Sequence, residues 1–311
     1  MPWWFLRRRG KLAVSTPASV GGGGWRLGEV MLPRLRGQRR YLQEHPYLLP
    51  KDLGEINRLD FQHYMIRAAL RGNYLAPIEQ PRRILDVGCG TGQWAIELAQ
   101  QFSQAEVIGL DLEQARNRSS APPNYRFVQG DVLEGLPFEE NYFDFVHQRL
   151  LILAIPLAAW PGTVQELARV TAPGGWIELV ESSISPNDFV PCGPAMRQLL
   201  NWMGQLAALR GLDAQGVVMQ SLERYLAEAG LINIQRHVLE WPIGDWGGRL
   251  GSLGALDLKE AARAVSAPVA ARFGISEQEV LTVIEQASQE WNELQTRGYL
   301  VVVYGQKPLA R

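Results

Sequence analysis

The residues best suited to chemistry form a glycine-rich segment, Asp86-Val87-Gly88-Cys89-Gly90-Thr91-Gly92. The segment follows a short apolar run and precedes a pattern with helical spacing, so we expect it to join a strand to a helix. Glycines at such a junction allow a tight turn and the close approach of a ligand, which the unpaired amides of the helix can then bind. The GxGxG spacing differs from the GxGxxG pattern that is typical of dinucleotide-binding proteins.

Two acidic residues follow the next two predicted strands. Asp111 comes 19 residues after Gly92, and Asp131 follows the third strand. A carboxylate at the first position can accept both hydroxyls of a ribose, and one at the second can accept an exocyclic adenine amine. Leu112 and Val132 would contact the faces of the base. Either acid alone could instead cap a helix, but the whole set predicts a nucleoside site.

Strands and helices alternate from residue 83 onward, which indicates an α/β fold with a parallel sheet covered on both faces. The seven predicted strands are 83–87, 106–110, 125–129, 142–147, 176–180, 232–241 and 299–304. Two helical stretches, 195–210 and 245–298, lie outside this alternation, and we expect them to form a lid over a substrate. The apolar stripe of Val280, Ile284, Ala287, Trp291 and Leu294 in the second stretch is interpreted as core packing.

Composition limits the classes of function. The chain of 311 residues has a formal net charge of -1 and two cysteines, Cys89 and Cys192. This composition argues against a polyanion-binding protein, and it excludes a disulfide scaffold and a structural zinc site. Residues 1–45 carry nine basic and two acidic side chains. We predict a disordered basic tail over residues 1–40; contact of the tail with a membrane or a nucleic acid is one alternative, and a start at Met31 is another.

The glycine loop, Asp111 and Asp131 together resemble the class I S-adenosylmethionine-dependent methyltransferases over about residues 80–185 and the last two strands. This resemblance implies a Rossmann-like sheet of seven strands, mostly parallel with an antiparallel last strand, and S-adenosylmethionine as the cofactor. Carried over, the glycines would surround the methionyl part, and the backbone of His147 would face the cofactor's amino group. The implied cofactor-binding residues are Asp86, Gly88, Cys89, Gly90, Gly92, Asp111, Leu112, Asp131, Val132 and His147.

Three further segments, 57–63, 143–149 and 173–178, are similar to the LaeA-like methyltransferases of fungal secondary metabolism. With this resemblance we predict a helical segment over the cofactor at 41–80 and a cofactor-binding core at 81–185. Residues 186–311 would supply the rest of the sheet and the lid insertions. Since the fungal group includes regulators, an S-adenosylmethionine-binding regulatory protein with little turnover is the alternative to an enzyme.

A sulfonium methyl is already activated, so a base is needed only if the acceptor keeps its proton. The weak candidates for a base are His147, His63 and Glu181. The alternative for His147 is that its backbone alone matters, and for His63 that it belongs to a solvated stripe of a helix. Glu178 should be buried with a partner, for which Arg149 is one candidate. His45 is assigned no role.

We therefore predict a cytoplasmic methyltransferase that acts by in-line displacement on a small molecule, since the helical insertions could enclose a modest apolar acceptor. Trp202, Trp241, Trp246 and Trp291 would suit such a pocket, although packing explains each of them equally well. The GxGxG spacing disfavours a nicotinamide-dependent oxidoreductase. No metal site and no nucleic-acid or membrane partner is predicted.

Overall fold

A computed structural model describes residues 40–42, 44–114 and 121–309. The predicted basic tail lies outside these residues except for Arg40. No helix in the described ranges combines the length and the apolar character needed to cross a bilayer.

The described chain forms one sheet of eight strands. The strands are β1 (Arg83–Val87), β2 (Glu106–Asp111), β3 (Tyr125–Gln129), β4 (Phe143–Arg149), β5 (Thr171–Glu181), β6 (Phe189–Val190), β7 (Ile232–Pro242) and β8 (Arg297–Gln306). Strands β3, β2, β1, β4 and β5 are adjacent in this order and parallel. Strand β8 runs antiparallel to β5 and β6 and also to β7. The mostly parallel α/β sheet is confirmed, but the predicted count of seven strands is wrong because β6 has two residues, too few to leave a periodic pattern.

Eight α-helices cover the sheet or extend from it in the described part of the chain. They are α1 (Leu53–Leu70), α2 (Gln93–Gln101), α3 (Trp160–Val170), α4 (Pro194–Leu209), α5 (Val217–Glu228), α6 (Gly248–Ala264), α7 (Ser266–Phe273) and α8 (Glu277–Glu293). The Asp52 side chain begins α1 by accepting a hydrogen bond from the Glu55 amide at 3.1 Å. Because α1 packs against α6 and the sheet, His63 is only 1% exposed, and the interpretation of a solvated stripe is wrong for this residue.

The strand register brings polar residues to one edge of the sheet. Asp86 of β1 lies beside Gly109 of β2 and His147 of β4, and Asp111 closes β2. This edge holds the carboxyl ends of the parallel strands, where open α/β sheets bind ligands. Because β8 is antiparallel to β5, the first residues of β8 reach the same edge.

The two insertions are helical. The first contains α4, and the second contains α6, α7 and α8. Glu290 of α8 accepts hydrogen bonds from the Ala195 and Met196 amides at 2.9 Å each, which joins α8 to the first turn of α4. Four members of the predicted α8 stripe are fully buried, whereas Leu294 is 41% exposed and does not belong to the core.

Candidate active site

A cavity of about 240 Å³ opens at the carboxyl edge of the sheet. Its walls come from the strand ends, α1, α6 and the segment that precedes α1. Eight predicted cofactor-binding residues line it: Asp86, Gly88, Cys89, Gly90, Asp111, Leu112, Asp131 and Val132. Gly92 and His147 do not line the cavity.

The glycine loop turns sharply between β1 and α2. Gly88, Gly90 and Gly92 have φ angles of 68°, 55° and 73°, a region that side chains disfavour. A Cβ on Gly88 would lie 2.6 Å from Leu151, and one on Gly92 would lie 2.6 Å from the Tyr125 hydroxyl. Gly92 therefore shapes the turn from behind, while the backbone of Gly88 and Gly90 faces the cavity.

Cys89 lies in the same loop, where its amide donates to the Leu110 carbonyl at 3.0 Å. Burial raises the pKa of the Cys89 thiol well above its ordinary value, and the nearby Asp111 and Asp86 charges raise it further. A neutral thiol is a poor nucleophile. The geometry thus gives Cys89 a lining role and no chemical one.

The two predicted ligand-binding acids are held by backbone amides. Asp111 Oδ2 accepts from the Gly90 amide at 2.9 Å, and Asp131 Oδ1 accepts from the Leu133 amide at 2.9 Å. The other oxygen of each carboxylate meets a cationic side chain or a histidine. Lys51 Nζ lies 2.5 Å from Asp111 Oδ1, and His45 Nδ1 lies 3.3 Å from Asp131 Oδ2.

The segment before α1 therefore crosses the nucleoside end of the cavity. Arg40 extends the same arrangement with two hydrogen bonds to Glu113, of 3.1 and 2.5 Å. The sequence analysis missed Lys51 and did not predict the contact of His45 with Asp131. Lys51 and Asp111 are 60 residues apart, so no local pattern could have paired them.

His147 is buried behind the cavity wall and does not line the cavity. Its Nδ1 lies 3.0 Å from Asp86 Oδ1, and its ring stacks on Trp94 with a centroid distance of 3.9 Å. Burial lowers the pKa of His147, although Asp86 opposes the shift. The side chain can orient Asp86, but it does not reach the cavity as a general base would.

Glu178 and Glu181 are both fully buried in β5 and absent from the cavity wall. Glu178 Oε2 accepts from the amides of Leu75 and Ala76 at 2.7 Å each. These amides, and not an ion pair with Arg149, are its partners. Burial raises the pKa of Glu178 to about 7.

Glu181 binds the loop that follows β4. Its carboxylate accepts from the amides of Leu151 and Ile152 at 2.9 and 3.4 Å. Burial raises the pKa of Glu181 to about 8. Since Glu181 binds this loop and does not line the cavity, its position is structural and does not support the prediction that it acts as a base.

His63 does line the cavity, on the face of α1 that covers β4. Its Nδ1 lies 3.3 Å from an Arg149 nitrogen, and its Nε2 lies 3.3 Å from Glu97 Oε1. Burial, followed by the Arg149 charge, lowers the pKa of His63 to about 4. A neutral His63 with both ring nitrogens facing charged groups is a weak candidate for a base.

A buried charged network joins α1 to the second insertion. Arg58 donates to Glu55 at 2.8 and 2.6 Å and to Asp257 of α6 at 2.6 Å. Gln62 donates to Asp257 at 3.2 Å, and the Tyr47 hydroxyl donates to Glu55 at 3.2 Å. The spacing of Glu55, Arg58 and Gln62 on one helix face was readable in the sequence, but the partner 199 residues beyond Arg58 was not.

Of the four tryptophans that the sequence offered as pocket residues, only Trp241 lines this cavity. Trp202 packs against Phe273, Trp246 Nε1 donates to the Ile243 carbonyl at 2.9 Å, and Trp291 is fully buried. The packing interpretation therefore describes these three residues.

The described residues fit S-adenosylmethionine. Asp111 at the end of β2 and Asp131 beyond β3 both line the cavity, where they would hold the ribose hydroxyls and the base. Leu112 and Val132 supply apolar contacts beside them. A mostly parallel sheet with a glycine turn after β1 and acids after β2 and β3 is the arrangement expected of the class I S-adenosylmethionine-dependent methyltransferases, which the sequence resembles.

Comparisons with known proteins agree with this class. The family described as "Methyltransferase domain" matches residues 84–175. Methyltransferase pytC of Aspergillus terreus is 30% identical over 286 residues, which cover 87% of this chain and 86% of that protein. The secondary metabolism regulator LAE1 of Cochliobolus heterostrophus is 35% identical over 209 residues, which cover 64% of this chain and 67% of that protein.

Among solved structures, the YcgJ protein from Bacillus subtilis aligns with a TM-score of 0.50 at 17% identity. The alignment covers 80% of this chain and all of that one. This likeness shows the fold alone. The chain belongs to the S-adenosylmethionine-dependent methyltransferases, within the group that contains pytC and the LaeA-like proteins, and S-adenosylmethionine is its cofactor.

Proposed function

We propose that this methyltransferase acts on a small, largely apolar molecule that is held between the sheet, α1 and the second helical insertion, whose α6 lines the cavity through Leu258 and Ala261. The observation that carries the proposal is that the cavity wall has a polar part and an apolar part, which lie over different strands of the sheet. The glycine loop and the two acids lie over β1, β2 and β3. The opposite part of the wall is apolar and comes from α1, β7 and β8, through Met65, Ile66, Ala69, Leu239, Trp241 and Leu300.

The strand directions explain this division. Trp241 lies near the end of β7 and Leu300 near the start of β8, so both reach the edge where the parallel strands end. Met65 and Ile66 of α1 pack in one cluster with them. An apolar wall next to the cofactor region favours a substrate with exposed apolar surface, because burying that surface drives binding.

When bound, S-adenosylmethionine would supply a methyl group on a positively charged sulfur: the acceptor's lone pair would bond to the methyl carbon, and the carbon–sulfur electron pair would leave with the sulfur of S-adenosylhomocysteine. The chain's own residues orient the two reactants and exclude water. Tyr47, Arg58 and Asp257 of the cavity wall already have charged or polar partners. We infer that the acceptor presents a nucleophile that needs no strong base, such as an amine or an acidic hydroxyl.

The names of two relatives correspond to the two alternatives, methyl transfer and regulation. The N-methyltransferase sirN of Leptosphaeria maculans is 29% identical over 282 residues, and the name places its reaction at nitrogen. The LAE1 name instead describes a regulator. Binding of S-adenosylmethionine without methyl transfer would be the corresponding behaviour here.

The test is transfer of labelled methyl groups from S-adenosylmethionine to a panel of apolar amines, phenols and carbon acids. Ala69→Phe should fill the apolar part of the cavity and abolish transfer while S-adenosylhomocysteine still binds. Ala68→Phe is the matched control, because Ala68 is exposed on the same helix and should change neither property. Retained transfer in Ala69→Phe would contradict the placement of the acceptor, and cofactor binding with no transfer to any compound would favour the regulatory reading.

A further inference from the structure

Arg149 is a buried cation that the methyl-transfer chemistry above does not use. It is the last residue of β4 and lines the cavity. Its guanidinium contacts His63 Nδ1 at 3.3 Å, and among the described residues no carboxylate oxygen lies within 4 Å of the guanidinium. Burial lowers the pKa of Arg149, but a guanidinium stays protonated in proteins.

A buried charge without a close partner of opposite sign is costly, so its presence in a binding cavity indicates an anionic ligand group. Asp86, Glu178 and Glu97 stabilise the charge from a greater distance. Each of them is already engaged: Asp86 by His147, Glu178 by two amides, and Glu97 by α1 and Asn73. The guanidinium therefore keeps donors available for a ligand.

The position of Arg149 along the sheet indicates which ligand group this is. Asp131 lies beyond β3 and Asp111 ends β2, and under the proposed placement they hold the adenine and the ribose. The order β3-β2-β1-β4 then directs the amino-acid end of the cofactor toward β1 and β4. That end is a zwitterion and needs groups of both signs. Asp86 and His147 are register partners on β1 and β4, and Arg149 is two residues beyond His147, on the same face of the sheet.

We propose that Arg149 binds the carboxylate of the cofactor's amino-acid end, with Asp86 on the side of the ammonium group. The inference rests on the cofactor placement given above. A planar guanidinium matches a carboxylate with two parallel hydrogen bonds, which a lysine at the same position could not reproduce. His63 packs beside the guanidinium and limits its movement, so it is a positioning residue for Arg149.

The experiment is calorimetric titration with S-adenosylhomocysteine and with its decarboxylated analogue, S-adenosyl-3-thiopropylamine, which keeps the adenosine and the amine. The unmodified protein should bind the analogue about 10- to 150-fold more weakly, the range expected for a hydrogen bond to a charged group. Arg149→Met should lose most of its affinity for S-adenosylhomocysteine, keep its affinity for the analogue, and so bind the two about equally. Arg149→Lys, which retains a cation if the methionine variant does not fold, should show intermediate discrimination.

Arg67→Met is the control, because Arg67 also contacts Glu97 but is half exposed and does not line the cavity. It should discriminate as the unmodified protein does. Equal binding of both ligands by the unmodified protein, discrimination that survives in Arg149→Met, or equal weakening of both ligands in that variant would each overturn the assignment. Failure of the unmodified protein to bind either ligand would instead contradict the cofactor placement itself.

Discussion

Replacing Asp111 with alanine should weaken the binding of S-adenosylhomocysteine by about 1.5–3 kcal/mol, or roughly 10- to 150-fold. The carboxylate is 11% exposed and lies between the Gly90 amide at 2.9 Å and Lys51 at 2.5 Å. Hydrogen bonds from ribose hydroxyls to this shielded anion would be charge-assisted, which is why the upper part of the range for a single interaction applies.

A simple loss of affinity would not isolate the ribose contact, because alanine also removes the acceptor of the Gly90 amide. The ligand therefore has to be changed as well. The unmodified protein should bind the 2′-deoxy form of S-adenosylhomocysteine more weakly than the parent compound. Asp111→Ala should bind the two with nearly the same affinity, since the group that distinguishes them is gone.

Asp144 provides a matched control for this experiment. It is an acid near the start of β4, at the opposite edge of the sheet, and it accepts two backbone amides, from Arg82 at 2.6 Å and Arg83 at 3.0 Å. Asp144→Ala removes a comparable set of hydrogen bonds but should keep the preference for the 2′-hydroxyl. If Asp111→Ala still prefers the parent compound by the original factor, the ribose assignment is refuted.

Three further predictions concern the tail, a buried acid and the charged network. Deleting residues 1–30 should leave the affinity for S-adenosylhomocysteine unchanged in calorimetry, and a tenfold loss would mean that the tail belongs to the site. The pKa of Glu181 is raised from 4.5 to about 8, so its contribution to stability is greatest below pH 4.5 and falls as the pH rises to about 8. Chemical denaturation should therefore show that Glu181→Gln removes a decline of about 1.4 kcal/mol per pH unit in that interval, and parallel pH profiles for variant and parent would contradict this cause. Arg58→Met leaves Glu55 and Asp257 buried without their cation and should cost about 3–5 kcal/mol of unfolding free energy. Arg224→Met is the exposed control and should leave the unfolding free energy almost unchanged, because a surface ion pair contributes little. Equal losses of stability in the two variants would argue against the network.

Local patterns in the sequence were sufficient for the central part of the fold. The bounds of β1 and β3 agree with the predicted ranges, because each strand is a short run bounded by polar or turn residues. The glycine loop was readable for a similar reason, since a turn with three positive φ angles requires glycines at fixed spacing. The acids after β2 and β3 could be placed together because parallel strands all end at one edge.

The contacts that complete the site came from the tertiary structure. Helical spacing placed His63 on one face of α1, but whether that face met water or the sheet depended on how α1 packs, and it is buried against Arg149 and Glu97. Glu178 illustrates the same limit, since its partners are loop amides and not the arginine that its charge suggested.

The sequence by itself determined most of the elements and their order, because strand and helix periods and the glycine turn are set by residues close together in the chain. The cofactor class followed from the resemblance of the glycine loop and the two acids to a known family. Tertiary structure alone decided that Lys51 meets Asp111, that Asp257 reaches Arg58, and that Arg149 lacks a close carboxylate partner among the described residues. Lys51 and Asp111 are 60 residues apart in the chain, and Arg58 and Asp257 are 199 residues apart. Such contacts form only when packing brings distant segments together in a buried environment. Burial also makes the isolated charge of Arg149 costly, and for this reason the charge indicates an anionic ligand group.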